Sequence, residues 1–152
     1  MSVPLFLEFV RKHNLDITPE KSAELTTTAA EAAKVHGVPV SNIVKSLVVK
    51  ADGEFLIYLC PVDKKLDFKE LSRRLGKKDV RMGTPDEVRD VTGHSIGGVS
   101  PFGHRKPLKT IIISGFDPDE PLWAAAGAVD TNFKTSLSKL QEIVKRVNLM
   151  VR

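Results

Sequence analysis

The sequence predicts an α+β fold, a largely antiparallel sheet with helices packed around it, and three observations lead there. Helix-start signals and β-rich runs are mixed along the chain without the strict strand–helix–strand alternation of a parallel sheet. Two β-rich runs flank Asp52-Gly53, a dipeptide that suits a tight antiparallel hairpin. At 152 residues the chain buries roughly 70% of the surface its unfolded form exposes, so residues 1–152 are expected to share one core as one domain.

Each element has a local reason. Ser2-Val3-Pro4 offers an N-cap serine and a first-turn proline, and Leu5, Phe6, Phe9 and Val10 recur at helical spacing, so a helix runs to about Asn14. Thr28 and Glu31 form a capping box, alanines follow, and Gly37 with Pro39 closes a helix over about 29–36. The hairpin strands are Lys45-Ser46-Leu47-Val48-Val49-Lys50 and residues 54–60. The second is apolar from Phe55 to Cys60, which predicts burial on both faces and a central place in the sheet.

Asp67 and Glu70 start a helix whose apolar face, Leu71 and Leu75, stops at Gly76. A short strand at Val80-Arg81-Met82 leads to Thr84-Pro85-Asp86-Glu87, with proline at the first helical position, opening a helix that ends at Gly93. Residues 93–103 hold four glycines and a proline in eleven residues without periodicity, and read as a loop. Residues 109–113 and 122–126 read as strands on either side of a turn, with a short strand near 133–135. A last helix opens at Ser138 and Gln141, a further capping box.

Composition narrows the function. The 23 Lys and Arg against 19 Asp and Glu leave a net charge of +4, compatible with a polyanionic partner. The longest apolar stretch, residues 122–129, is far short of the roughly 20 residues of a membrane span. The N-terminus lacks a basic segment and Glu8 interrupts its first apolar run, so no secretory signal is expected. A lone cysteine, Cys60, excludes an internal disulfide framework and an all-cysteine zinc site, and fits a reducing cytoplasm.

Chemistry concentrates in two places. The glycine loop is either a backbone cradle for an oxyanion or phosphate, or a long surface connection; it is neither a Walker loop nor a dinucleotide fingerprint. Lys45, between Ile43-Val44 and Leu47-Val48, either holds an anion from apolar surroundings or snorkels at a sheet edge. Cys60 lies in an apolar strand with no activating partner and reads as a buried thiol. The four histidines show no zinc-ligand spacing, and Ser100 lies in no hydrolase motif, so neither a metal nor a serine nucleophile is expected. Of two basic clusters, residues 73–81 read as a solvated face. His104, Arg105 and Lys106, directly after the glycine loop, would meet a phosphodiester strand laid across it.

Together Ala29-Ala30-Glu31-Ala32-Ala33, Ile43-Val44-Lys45-Ser46-Leu47, the Asp-Gly hairpin, the Asp67 helix and the run from Thr92-Gly93 to Gly97-Gly98-Val99-Ser100-Pro101-Phe102-Gly103 make the chain resemble the YbaK/prolyl-tRNA synthetase-associated domain family. The resemblance spans about residues 20–145. It implies a partly open, barrel-like sheet with surrounding helices, and a free-standing, cofactor-free hydrolase. Such an enzyme removes a wrong amino acid, typically cysteine or alanine, from the 3′ end of a prolyl tRNA, with a prolyl-tRNA synthetase as a further partner.

By the same resemblance Lys45 is the residue tied to activity, and the Gly97–Pro101 loop receives the aminoacylated 3′ end. Ala126 and Gly127 resemble the pocket floor. On that scheme backbone N–H groups at Gly97 and Gly98 act with Lys45, while Ser46, Val99, Ser100, Pro101, Phe102 and Gly103 line the substrate site. Asp130 either meets the substrate's α-ammonium or caps the following turn. The chain lacks the histidine that alanyl-specific relatives often carry after the small-residue strand, reading Ala128-Val129-Asp130-Thr131-Asn132 there, so the resemblance assigns no amino acid. The rival reading is a binding module of the same fold that docks tRNA or a synthetase without hydrolysis.

Overall fold

The computed structural model describes residues 2–22, 29–147 and 149–150. In chain order the elements are α1 (Ser2–Lys12), β1 (Glu20–Lys21), α2 (Ala29–His36), β2 (Val44–Ala51), β3 (Glu54–Pro61), α3 (Phe68–Leu75), β4 (Val80–Met82), α4 (Pro85–Thr92), β5 (Lys109–Ile112), β6 (Leu122–Ala128), β7 (Thr131–Thr135), α5 (Leu137–Val147) and β8 (Leu149–Met150). Strands β4-β2-β3-β5-β8 form one sheet and β1-β7-β6 a second.

The local signals act as expected in most places. Asp52 (φ 47°) and Gly53 (φ 88°) both take left-handed backbone, the requirement of a primed turn, and β2 and β3 pair in unbroken register from Val44–Pro61 to Ala51–Glu54. The Asp67 carboxylate accepts from Glu70 N–H and Gly76 closes α3 in the left-handed region. Thr84 and Glu87 form the reciprocal capping box of α4. Thr28 lies outside the described residues.

One expectation needs correction. The last helix begins at Leu137, and Ser136 caps it, accepting from Lys139 N–H at 3.2 Å; Ser138 lies inside the first turn. The pairing is largely antiparallel, as expected: β4, β2 and β3 are antiparallel, as is the whole small sheet, while β5 runs parallel to β3 and β8 parallel to β5.

Strand β3 is central, and its alternate residues feed two apolar layers. Ile57 and Leu59, with Val44 and Val48, pack against Phe6, Phe102, Leu122, Phe133 and Leu140. Leu56, Tyr58 and Cys60 pack under Leu71 on the other face. Burial pushes the Cys60 thiol pKa up, opposed by the Lys45 and Lys64 charges, which suits an unreactive core thiol. In the first basic cluster, Arg73 pairs with Glu70, Arg81 with Glu87 at 2.8 Å and Lys77 with Glu54 at 3.9 Å.

Candidate active site

The site arises where the two sheets part. Strand β4 is three residues long and covers only Val49–Ala51 of the outer edge of β2, while the isolated bridge Ile43–Trp123 pins the start of β2 to β6. Between those contacts, residues 44–48 present an edge that no strand pairs among the described residues. The Gly83 N–H donates to Val48 O at 2.9 Å, so Val48 directs its backbone groups to this outer side; strand alternation sends those of Ser46 the same way. A cleft of about 420 Å³ fills the gap, walled by the β2 edge, Gly97 and Val99 of the loop, and Trp123 and Ala125 of β6.

Lys45, Ser46, Gly97 and Val99, predicted from separate segments, all line this cleft. The Lys45 ammonium donates to Lys64 O at 2.7 Å, which fixes it and leaves further N–H donors free to turn. The Ser46 hydroxyl is buried with no hydrogen-bond partner among the described residues, a deficit that a ligand would relieve.

Gly98 is engaged differently from the expectation. Its N–H is spent on Ser95 O (2.9 Å) and its carbonyl accepts from Gly127 N–H (3.0 Å), so it rivets the loop to the irregularity in β6 between Ala125 and Ala128. A Cβ on Gly98 would lie 2.8 Å from the Ala128 Cα. Close backbone approach is the reason for glycine here.

The second half of the loop is an anchor. Phe102 is fully buried, its ring 5.6 Å from Phe6 and 5.5 Å from Phe133, and Pro101 and Gly103 are buried beside it. The Ser100 hydroxyl donates to Phe102 O and lies 3.2 Å from His94 Nε2. The His104 ring, expected on the tRNA side, reaches Ser100 O at 2.7 Å. Burial holds both imidazoles at about 4, against the usual 6.5, with the Gly103 and Ser100 backbones opposing it. Arg105 donates to Asp90 O at 3.3 Å, and neither it nor the exposed Lys106 lines the cleft.

Ala126 and Gly127 are buried behind the cleft wall, which instead uses Ala124 and Ala125. Asp130 lies beside the cleft: its carboxylate accepts from Thr131 Oγ1 at 3.1 Å and faces the Lys21 ammonium at 3.8 Å.

With the geometry in place, comparison supplies the family. A family model described as an aminoacyl-tRNA editing domain matches residues 23–143. The chain belongs to that family. This editing domain is 42% identical over 118 residues to the uncharacterized protein YwhH of Bacillus subtilis, covering 77% of this chain and 74% of that one. It is 30% identical over 102 residues to a proline–tRNA ligase of Thermosipho africanus, covering 60% of this chain but only 18% of the ligase. Its fold matches a crystal structure of a candidate trans-editing enzyme for prolyl tRNA synthetase (TM-score 0.85, 29% identity, 99% of this chain and 94% of that one). It also matches the hypothetical protein APE2540 (TM-score 0.80, 25% identity, 96% and 97%).

Among the residues of the editing domain's cleft that escaped the sequence reading are the polar or aromatic His36, Trp123 and Asn132. The rings of His36 and Trp123 stack with centroids 3.8 Å apart and an interplanar angle of 13°. Burial lowers the His36 pKa, opposed by Glu20. The available signal was strand alternation, since Asn132 pairs with Ala125 across β7 and β6; without knowing that these strands pair, it could not be used. Asn42 was also missed: fully buried, it donates to the carbonyls of Asp117, Glu120 and Pro121 and accepts from Asp117 N–H, holding the approach to β6 beside β2.

Proposed function

We propose that this editing domain, residues 1–152 acting as one unit, hydrolyses in trans the ester joining a wrong amino acid to the terminal adenosine of a tRNA. The substrate class is a prolyl tRNA carrying cysteine or alanine. The observation that carries the reading is the convergence of Lys45, the unpartnered Ser46 hydroxyl and the exposed Gly97 backbone on one cleft with small apolar walls. Ala32, Ala124 and Ala125 leave room for a small side chain.

An aminoacyl ester is already activated, so positioning and charge stabilisation suffice without a nucleophilic triad. Water adds to the carbonyl carbon, the oxyanion forms beside the Lys45 ammonium and the loop backbone, and the ester C–O bond then breaks. The ribose oxygen leaves with a proton, giving free amino acid and a tRNA with a free 3′ end. A group on the substrate itself assists the attacking water. The Gly98 N–H takes no part, because Ser95 holds it.

The test is a deacylation assay over a panel of mischarged tRNAs. The expected result is rapid release from cysteinyl- or alanyl-tRNA(Pro) and a loss of about 100-fold in Lys45→Ala, the scale of removing one oxyanion donor. Wild-type rates in Lys45→Ala would refute the mechanism. Tight tRNA binding without any ester loss would make the chain a binding module.

A further inference from the structure

We infer that the 3′ strand of the tRNA leaves the cleft over the His36–Trp123 stack and is held by Lys134 and Lys21, with the terminal base on the stack and a backbone phosphate at the lysines. The ligand class is single-stranded RNA at a 3′ end, and the inference rests on the deacylase reading for what occupies the cleft.

A second cavity, about 530 Å³, adjoins the cleft, and His36 and Trp123 belong to the lining of both. Its remaining walls are Val35 and the polar Glu20, Lys21, Ser22 and Lys134. The small sheet explains this grouping. Residues directly opposite each other in an antiparallel pair share a face. Trp123 pairs with Lys134, Ala125 with Asn132, and Glu20 with Asn132, so these residues stand together on the cleft side. Their neighbours Ala124, itself part of the cleft lining, and Phe133 are buried.

The charges fit a phosphate at one point. Lys134 is exposed and has no acidic partner among the described residues; Lys21 is exposed and pairs loosely with Asp130 at 3.8 Å. Glu20 and Asp130 are the local acids and match the two lysines in number, so Lys134, the lysine without an acidic partner, is the cation left for a phosphate and Lys21 flanks it. A cation pair at the rim and a flat ring pair at the wall are the two parts of a single-strand site, one for the backbone and one for a base.

Covalent geometry then joins the cavities. In an aminoacyl-tRNA the ester, the base and the 5′ phosphate belong to one nucleotide, so an ester beside Lys45 puts its own base and phosphate within one nucleotide of it. The adjoining cavity shares His36 and Trp123 with the cleft that Lys45 lines. The cluster at 104–106 lines neither cavity.

The experiment is fluorescence anisotropy with an uncharged RNA microhelix carrying a single-stranded CCA end, at several salt concentrations. Lys134→Glu is expected to weaken binding about fivefold and to flatten the salt slope by about 0.7–0.9, one phosphate contact. Lys134→Gln should do half as much in the same direction. His36→Ala should weaken binding about fivefold, and His36→Phe should restore it by replacing the stacking surface. Arg105→Glu with Lys106→Glu should stay within about twofold of wild type. Thermal melts of each variant confirm folding.

The inference is overturned if the 105/106 reversal weakens binding more than Lys134→Glu, or if Lys134→Glu binds like wild type. Because binding is read without hydrolysis, the two ideas fail separately. A protein that binds through Lys134 yet leaves every mischarged ester intact supports this path and refutes the deacylase reading.

Discussion

Gly98→Ala tests whether the loop is a positioned part of the site. The added methyl would lie 2.8 Å from Ala128 Cα, 2.9 Å from Ala128 N and 3.0 Å from Gly127 C, all backbone atoms that cannot rotate away. The Gly98 φ is not in the left-handed region, so the cost is contact alone. Overpacking of this kind costs about 1–3 kcal/mol, and lifting the loop also breaks the Gly127 N–H to Gly98 O bond, about 1 kcal/mol more. A total of about 2–4 kcal/mol leaves a domain of ordinary stability folded.

The larger effect is on activity, since a displacement of about 1 Å at Gly97 and Val99 costs on the order of 100-fold. Urea unfolding and single-turnover deacylation measure the two losses. Gly97→Ala is the contrast: at φ 91° it carries backbone strain, but its Cβ meets only the Val129 side chain, at 3.2 Å. If Gly98→Ala kept the wild-type midpoint and turned over within twofold of wild type, the riveted-loop account would be wrong.

Three further outcomes follow from the same geometry. His94 and His104 are held at about 4 in the fold against 6.5 when unfolded, so between those values only the unfolded chain takes up these protons. Their contribution is complete above pH 6.5 and is lost as pH falls from 6.5 to 4, about 3 kcal/mol for His94; urea midpoints that stay level across this window, or that fall equally in a His94→Gln variant, would contradict it. Asn42→Ala strands one N–H and three carbonyls in the buried joint and should cost about 2–4 kcal/mol, lowering the melting temperature by about 5–15 °C; an unchanged melt refutes the joint. Ser46→Ala removes a hydroxyl that has no partner, so the melt should hold while KM for the aminoacyl-tRNA rises about threefold to tenfold; a lower melt with unchanged KM would mean the hydroxyl serves the fold.

What was legible in the sequence was local. The Asp52-Gly53 hairpin, the caps at Asp67 and Thr84 and the stops at Gly76 and Gly93 are each decided within a few residues, and each formed as expected. The placement of β5 and β8 was not legible, because a parallel pair has no connecting turn to announce it. The glycine loop was legible as special but not in its division of labour. Gly97 is exposed at the cleft, Gly98 is spent on backbone contact, and Ser100 and Phe102 face inward, a split that depends on what lies across from each residue. The pocket wall shifted from Ala126 to Ala125 for the same reason: alternation tells which residues share a face, and only the partner strand tells which face is the wall.

The cleft follows from an incomplete sheet. An uncovered strand edge invites pairing with another chain, and proteins usually blunt it or cover it. Here β4 covers three residues of the β2 edge, and the next stretch is roofed by a glycine loop and by the turned-away sheet β6–β7 instead of by another strand. A strand would have consumed the outward N–H and C=O of Ser46; a loop riveted at Gly98 shields them and leaves a volume between. That volume is lined by Ser46 and by Lys45, whose ammonium is tethered to Lys64 O. On the proposed deacylase reading, a site that stabilises charge on an already activated ester needs little else, which is how a cleft lined by no activated nucleophile among the described residues would serve hydrolysis.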